Sequence, residues 1–537
     1  STDNASADEW RDEALAGIHA QPPLQGQEAL WGQALVALGE KRFEDACKAY
    51  SAMLARDTLD FRAWFGRAEC RSRDRMVVKD RKSPSGWAFR SGYQSAIQDY
   101  HRALTLVPSV HRAFRGAAFQ RLSALFYAEP NMFRVGYAVA PDTGRFVAFP
   151  SLDHDTLAFI PYRYVRLTQG PNPWADGKAA AVARNQEQLR GVTAMWVRSF
   201  PGSPDAWEAR GYVLEITGDL EGSTDSNAAV GAYRHALGLA STRTDSLRLR
   251  TTLAQLALKQ GRFEEAARRA DSLLDANPSP TSEEADQIAG LAALTGRVAR
   301  LVDLMRRASA LPLPQITDEY PQGAHPRLRA ALAEFAAYAS MGGPAENARS
   351  ALRVVDDQIR AYVPATDRPA FREQALAFSV MLLSPSPVAD QVVASQPPRF
   401  GLQRYQWYRK RGDTLSLRAA LDSSALTRRN RKPSSIAIEG VYQMSVLHLA
   451  VRDTAAAVRM LDESLEAMPG MGRDLLNRPA AAGALVRAMV LRSQVASRLG
   501  DTPTARRWAV AATTLWAHAD PAFQPTVDSL RRIIGGN

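Results

Sequence analysis

The segment that decides the fold is Tyr93–Phe114, YQSAIQDYHRALTLVPSVHRAF. Its apolar face is formed by four residues spaced 3, 4 and 3 apart, Tyr93, Ala96, Tyr100 and Ala103. This spacing places them on one side of a helix, where the alanines admit a neighbouring helix and the tyrosines fill the space beside it. Pro108 ends the helix, and Phe114 begins the apolar side of the next one. The segment therefore predicts stacked helices.

Similar patterns recur along most of the chain. The clearest copies are Gly261–Pro278, Gly296–Ala308 and Pro201–Leu220, and weaker ones lie at Phe43–Met53, Ala345–Val355, Thr454–Pro469 and Gly500–Ala512. A glycine precedes the second helix of a pair by two residues in the clear copies, whereas Gly39 precedes Phe43 by four. We therefore expect a longer turn at Phe43. One helix pair cannot bury its apolar face alone, so stacking must supply the core.

These residues resemble the tetratricopeptide repeat, with its aromatic and glycine first helix, its alanine and aromatic second helix and its closing proline. The resemblance implies an all-α, right-handed α-solenoid of about eight to ten helix pairs. We expect early repeats over 1–125 with a loop insertion at 71–92, and a second insertion over 126–178. Central repeats are expected over 179–383 and divergent repeats over 384–537.

The second insertion contains GRFVAFPSLDHDTLAFI, in which apolar and polar residues alternate on both sides of a turn. Alternation is typical of strands, so we predict a β-hairpin formed by Arg145–Phe149 and Thr156–Ile160. Long loops in repeat proteins are commonly functional, but they also cap or seal a solenoid. Both alternatives stay open from the sequence.

Arginines mark the candidate binding residues. The first insertion combines basic and aromatic side chains, and we single out Arg81, Trp87 and Arg90. Trp64, Phe114 and Trp207 mark first helices that should line a groove, and we expect polar neighbours to face that groove: Arg67, Arg115 and Arg210. Such a groove would favour acidic or carboxylate-ended partners. A solvated charged loop is the alternative for the first insertion.

Composition narrows the classes of partner. The net charge of +11 is compatible with an acidic protein, nucleic acid or an anionic membrane. Only eight residues are lysine, so the charge follows an arginine-rich composition, and we do not expect nucleic acid. No stretch is apolar enough to span a membrane. Cys47 and Cys70 fit two buried small side chains or one isolated disulfide.

The sequence carries no recognisable catalytic signature. Phosphate-binding glycine loops, HExxH, GxSxG and paired CxxC motifs are absent, so we expect no enzyme activity, cofactor or metal. Asp153-His154-Asp155 is the one compact cluster of metal-ligand types, and its place in the predicted turn explains the aspartates. His101 and His448 fit ordinary core or groove histidines. An active site assembled from distant residues stays open.

Trp64–Tyr162 is similar to the extracytoplasmic repeat region of some bacterial serine/threonine kinases, through AWFGRAECRSRDRMVVKD, SPSGWAFRSGYQSAIQDYHRAL and GRFVAFPSLDHDTLAF. The resemblance implies a sensor or signalling scaffold that binds a peptide or protein outside the cytoplasm. The polar start at Ser1 leaves two expectations, a mature periplasmic protein or part of a longer chain behind a membrane anchor. Alternatives are a cytoplasmic scaffold, a subunit of a bacterial envelope complex, or a ligand receptor or enzyme with the insertions as a lid.

Overall fold

In a computed structural model, the chain is predominantly helical and divides into two compact units, Ser1–Thr217 (unit 1) and Gly218–Asn537 (unit 2). The division falls inside the range 179–383 for which the sequence predicts central repeats. The structure describes residues 15–16, 24–74, 76–79, 81, 87–91, 93–128, 135–140, 144–150, 157–161, 178–221, 227–311, 325–342, 345–382, 387–392, 401–428, 433–472 and 475–536.

Unit 1 alternates helix pairs with short strands. Its helices are α1 (Gly26–Gly39), α2 (Phe43–Arg56), α3 (Phe61–Arg73), α4 (Tyr93–Leu106), α5 (His111–Ala128), α6 (Lys178–Ser199) and α7 (Pro204–Ile216). Its strands are β1 (Val77–Lys79), β2 (Trp87–Phe89), β3 (Val135–Ala140), β4 (Gly144–Pro150) and β5 (Leu157–Pro161). Each helix packs chiefly on the helices next to it along the chain.

The packing register of unit 1 repeats every 50 residues. Tyr50 of α2 and Tyr100 of α4 are buried, and each lies against a glycine of the following helix. A Cβ atom added at Gly66 would lie 2.2 Å from Tyr50 Cζ, and one added at Gly116 would lie 2.4 Å from Tyr100 Cζ. Two tyrosines in the same place on successive pairs are what the Tyr93–Phe114 pattern predicts.

The turn between α1 and α2 is shorter than the sequence suggests. Lys41 takes the left-handed conformation, with φ of 61°, and Arg42 N donates to Ala37 O at 2.8 Å. Gly39 belongs to α1 instead of the turn. The expectation of a longer turn at Phe43 is therefore wrong, because a lysine occupies the position that glycine holds elsewhere.

The strands of unit 1 lie within the two insertions. β1 and β2 form an antiparallel hairpin inside 71–92. β3, β4 and β5 form a separate antiparallel sheet inside 126–178, in which Val147 pairs with Ile160 and Phe149 with Ala158. This sheet includes the segments of the predicted hairpin and adds β3, which the sequence prediction lacks. β1 contacts β3 and β2 contacts β5, so the insertions pack together.

Unit 2 consists of helices in its described part. They are α8 (Ala229–Leu239), α9 (Arg243–Lys259), α10 (Phe263–Ala276), α11 (Ser282–Leu294), α12 (Val298–Ala308), α13 (Pro326–Met341), α14 (Ala345–Tyr362), α15 (Arg368–Leu382), α16 (Pro387–Val392), α17 (Gly401–Lys410), α18 (Thr414–Arg428), α19 (Ile438–Ala450), α20 (Thr454–Glu466), α21 (Pro479–Arg498), α22 (Thr502–Leu515) and α23 (Gln524–Gly535). Short 3₁₀ turns occur at Pro433–Ser435, Met468–Gly470 and Pro521–Phe523.

The turn seen at Lys41 recurs within unit 2. The residue with positive φ is followed by one whose N–H bonds the carbonyl five residues back, and the next helix then begins. The left-handed residues in these turns are Gly261, Gly296, Gly412, Arg452 and Gly500. Glycine adopts this conformation without strain, which explains its use at most of these positions.

Helix α21 is the centre of unit 2. Most of its residues are buried, from Ala480 to Ala496, and it packs on α11, α13 and α19 as well as on α22. Two helices approach it or its lead-in segment closely. A Cβ atom added at Gly290 of α11 would lie 1.8 Å from Leu476 O, and one added at Gly483 would lie 2.7 Å from Ser340 O. Unit 2 therefore has contacts between distant repeats, in addition to those between neighbours.

Candidate functional site

A buried carboxylate lies between the first helices α3 and α5 of unit 1. Glu69 accepts a hydrogen bond of 2.6 Å from the hydroxyl of Tyr100 and one of 2.9 Å from Arg73 Nη2. Arg112 Nη2 of α5 lies 3.7 Å away. Burial, followed by the charge of Glu69, raises the pKa of Tyr100, so this hydroxyl stays a donor. Glu69 thus binds the partly exposed guanidinium group of Arg73 and lies within ion-pair distance of that of Arg112.

The outer side of α5 continues this surface. Arg112, Arg115 and Phe119 are spaced 3 and 4 residues apart, so they share one helix face. Arg115 is exposed, and the ring of Phe119 is 61% exposed. We define Arg73, Arg112, Arg115 and Phe119 as the basic face. Guanidinium groups beside an exposed ring can bind carboxylates and an adjacent apolar side chain.

Of the three predicted groove arginines, Arg115 belongs to the basic face, whereas Arg67 joins helices. Its guanidinium forms two bonds with the buried Asp99 of α4, at 2.9 Å from Nε and 2.8 Å from Nη2. It also stacks on Trp64, with 4.7 Å between Cζ and the ring centroid. Arg71 adds a 2.7 Å contact with Asp99. This arrangement ties α3 to α4.

Arg210 is buried at 8% exposure between α6 and α7. Its Nη1 donates to Arg190 O at 2.9 Å and lies 3.5 Å from Thr193 Oγ1. The side chain therefore points into the helix interface. The sequence places Arg210 near the packing residue Trp207. It does not show whether such a polar side chain points toward a groove or into the helix interface.

In the first insertion, Arg90 connects the loop to the helices. It forms bonds of 2.8 and 2.9 Å with Asp74 and one of 2.6 Å with Glu44 of α2. The hydrogen bond with Asp74 is the main reason that the pKa of Arg90 is raised. Arg81 is exposed, and Trp87 lies in β2, its side chain being outside the described part. Binding roles for these residues stay predictions.

Cys47 of α2 and Cys70 of α3 form a disulfide, with 5.8 Å between their Cα atoms. The sequence left free buried thiols and a bond as alternatives, and the structure has the bond. It crosses between two helices whose Tyr50 and Gly66 are in contact. The disulfide therefore reinforces a helix interface that is already packed.

Metal-ligand and membrane features add no site to the described part of the chain. No group of three or more His, Cys, Asp or Glu side chains there could hold a metal ion. Asp153-His154-Asp155 lies outside those residues. Among the same residues, no helix has the length and apolar character needed to cross a membrane.

The basic face was only partly visible in the sequence. Arg115 was singled out, whereas Arg73, Arg112 and Phe119 were missed. The available signal was the 3 and 4 spacing of Arg112, Arg115 and Phe119, which places an aromatic on the polar side of a helix. The contact that gathers the arginines, Glu69 between α3 and α5, depends on how the pairs stack.

Known proteins give limited similarity. No family model and no curated protein matches this chain. Among solved structures, the TPR domain of P58(IPK) is 12% identical, covering 83% of this chain and 94% of that one, with a TM-score of 0.20. Yeast Tom70 is 10% identical, covering 93% and 94%, with a TM-score of 0.27. At these TM-scores neither structure assigns this chain to a family, and its description as stacked helix pairs depends on the helix turns and the packing register.

Proposed function

We propose that this chain is a non-catalytic protein-interaction scaffold whose unit 1 binds an acidic segment of a partner protein at the basic face. The observation that carries the proposal is the exposed pair Arg115 and Phe119 on the helix face of Arg112, whose guanidinium, like that of Arg73, lies within ion-pair distance of Glu69. Stacked helix pairs present such faces without a catalytic centre.

Charge and shape support this choice of occupant. Glu69 lies within ion-pair distance of Arg73 and Arg112, and the exposed Arg115 shares a helix face with Arg112, so the basic face presents three guanidinium groups. Arginine binds carboxylates with two parallel hydrogen bonds. An exposed ring of this size favours an apolar residue in the partner. We therefore propose a segment with several carboxylates beside one leucine or phenylalanine.

The test uses fluorescence anisotropy with a labelled 12-residue peptide of glutamate, aspartate and leucine. We expect Arg115→Gln to weaken binding by about fivefold and Arg112→Gln/Arg115→Gln by about 30-fold, since hydrogen bonds to charged groups contribute roughly 1–3 kcal/mol. Phe119→Ala should cost about fivefold. A peptide with lysine in place of the acidic residues should not bind.

Matched controls come from the same unit. Arg198→Gln removes an exposed arginine of α6, and Leu59→Ala removes an apolar side chain that is 65% exposed. Neither should change the affinity. Equal binding by the double arginine variant and the natural chain would exclude the basic face as the site.

The cellular location is part of the proposal. We place the chain outside the bacterial cytoplasm, in the periplasm, because a disulfide persists in oxidising compartments and is rare in reducing ones. This agrees with the resemblance of Trp64–Tyr162 to extracytoplasmic regions of signalling kinases. The role of a subunit in an envelope complex would use the same face. Thiol labelling in cells tests the location: Cys47 and Cys70 should be blocked before, and reactive after, reduction.

A further inference from the structure

A second feature of unit 1 is independent of the basic face. Arg121 of α5 lies six residues after Arg115, which places it about 120° around that helix. It is 5% exposed and lines an open pocket of about 530 Å³ between α4, α5 and α6. The other lining residues are Ile97, Gln98, His101, Arg102, Thr105 and Gln188.

The guanidinium of Arg121 contacts neutral groups. It lies 2.9 Å from His101 Nε2 and 3.3 Å from Asn185 Oδ1, and it also bonds Gln188. Its Nε atom has no acceptor among the described residues. Burial lowers the pKa of Arg121 to about 10, and no carboxylate in the described part of the chain offsets that effect.

This environment differs from that of three other interhelical arginines of unit 1, which have carboxylate partners. Arg67 and Arg71 share Asp99, and Arg90 faces Asp74 and Glu44. A buried charge is normally paired, because leaving water without a counterion is costly. Arg121 is more deeply buried than these three arginines, no carboxylate among the described residues pairs with it, and a pocket leads to it.

Two further groups give the pocket the donors for an anion. His101 accepts a hydrogen bond from Arg121, and Arg102 is exposed at the rim. Burial, and then the charge of Arg121, lowers the pKa of His101, so the ring is neutral at pH 7 in the empty pocket. An anion that takes the place of the Arg121–His101 hydrogen bond would weaken that repulsion and allow Nε2 of His101 to bind a proton and donate a hydrogen bond to the anion.

The charged groups around His101 favour the binding of an anion in this pocket. Arg121 faces it from α5, and Arg102 is the adjacent residue on its own helix. From α6 the pocket receives the neutral amide of Gln188. On α3, Arg67 and Arg71 are held by Asp99, which precedes His101 by two residues and so lies on another side of α4.

We propose that the pocket lined by Arg121, His101 and Arg102 binds a phosphate group, either the free ion or a phosphomonoester on another molecule. Two guanidinium groups and one proton-accepting imidazole suit a dianion with several acceptor oxygens better than a single carboxylate. Gln98 and Gln188 supply amide donors at the edge.

Calorimetric titration of the full chain with inorganic phosphate, a phosphoserine peptide and acetate tests the proposal at constant ionic strength. We expect saturable binding of phosphate or the phosphopeptide at one site. Arg121→Gln should abolish this binding and Arg102→Gln should weaken it about fivefold, whereas Arg198→Gln should leave it unchanged. A phosphopeptide that binds at least tenfold more tightly than the free ion identifies the ester as the ligand.

Arg102→Gln keeps the test valid if Arg121→Gln does not fold, because Arg102 is exposed. Absence of saturable binding, equal binding of acetate, full affinity in a folded Arg121→Gln variant, or full affinity in Arg102→Gln would each overturn the proposal.

Sulfate provides the pH test, because it stays a dianion where phosphate titrates. Its affinity should rise several-fold from pH 7.5 to pH 5.5 as His101 gains a proton in the complex. His101→Gln should remove the pH dependence. Persistence of that dependence in His101→Gln would contradict the assigned role of the ring.

Discussion

Units 1 and 2 use similar helix pairs but stabilise them differently. In unit 1 each helix packs on its neighbours. The buried carboxylates Asp99 and Asp74 join successive elements through arginines, and Glu69 joins α3 to α4 through the hydroxyl of Tyr100. In unit 2 a large hydrophobic cluster extends from Leu247 to Leu530 around α21, beside two separate clusters around Phe335 and Leu417. The comparison teaches that the repeat pattern determines the pair, whereas the contacts between pairs depend on residues outside the pattern.

The largest effect should come from the close approach at the centre of unit 2. Gly290→Ala places a Cβ atom 1.8 Å from Leu476 O, a backbone atom that cannot turn away. We expect a loss of about 3 kcal/mol or more in the free energy of unfolding of unit 2, measured by urea denaturation. Hydrogen exchange should assign the loss to α11 and α21.

The control for this substitution is Gly238→Ala on α8, where an added Cβ atom meets nothing within 4 Å. Here alanine should stabilise the helix by about 0.5–1 kcal/mol. Equal effects at both glycines would mean that the contact between α11 and the Leu476 segment does not control unit 2.

The next effect tests the ion pairs of unit 1. Asp99→Asn removes the charge that Arg67 and Arg71 share, and Asp99 is only 2% exposed. Breaking a buried pair leaves an uncompensated charge, so we expect unit 1 to lose about 3 kcal/mol. Asp205→Asn, an exposed aspartate on α7, is the control. A loss below about 1 kcal/mol would contradict the view that these pairs hold unit 1 together.

A slightly smaller effect should follow reduction of the disulfide. The Cys47–Cys70 bond closes a loop with a sequence separation of 23, which stabilises the folded state by about 2–3 kcal/mol. Dithiothreitol should lower the melting temperature of unit 1 and leave that of unit 2 unchanged. The Cys47→Ser/Cys70→Ala variant should melt early with or without the reductant. Sensitivity of unit 2 to reduction would remove this distinction between the units.

The smallest effect concerns helix caps. Asp520 accepts a hydrogen bond of 2.8 Å from Ala299 N and so caps α12 across a separation of 221 residues, whereas Ser203 caps α7 locally. Asp520→Ala and Ser203→Ala should each cost about 1 kcal/mol. The first should also speed hydrogen exchange at the start of α12. Unchanged exchange there would show that the distant cap is dispensable.

What the sequence predicted follows from local chemistry. The apolar spacing of Tyr93–Phe114 and the turn glycines Gly261 and Gly296 were sufficient to place helix pairs, because these signals lie within about 20 residues. Lys41 was missed since a lysine with positive φ has no sequence marker. Its turn became evident from the bond between Arg42 N and Ala37 O.

The sites were less predictable because they depend on tertiary contacts. Arg67 and Arg115 both follow a packing aromatic by one to three residues, yet one pairs with Asp99 and the other faces solvent. No sequence pattern marks Arg121, because it is a candidate binding residue only through the side chains of α4 and α6 that contact its guanidinium. Only the stacking of three helices makes that visible.

The position of α21 has a consequence for synthesis. Nη1 of Arg487 on α21 donates to Ala339 O and Ser340 O of α13, across sequence separations of 148 and 147 residues. Helix α13, and α11 before it, therefore emerge from the ribosome well before α21. Until then, the apolar surfaces of these helices lack their partner and are open to chaperones or misassembly. Unit 1 can complete its contacts progressively as the chain emerges, whereas unit 2 must wait for its last quarter.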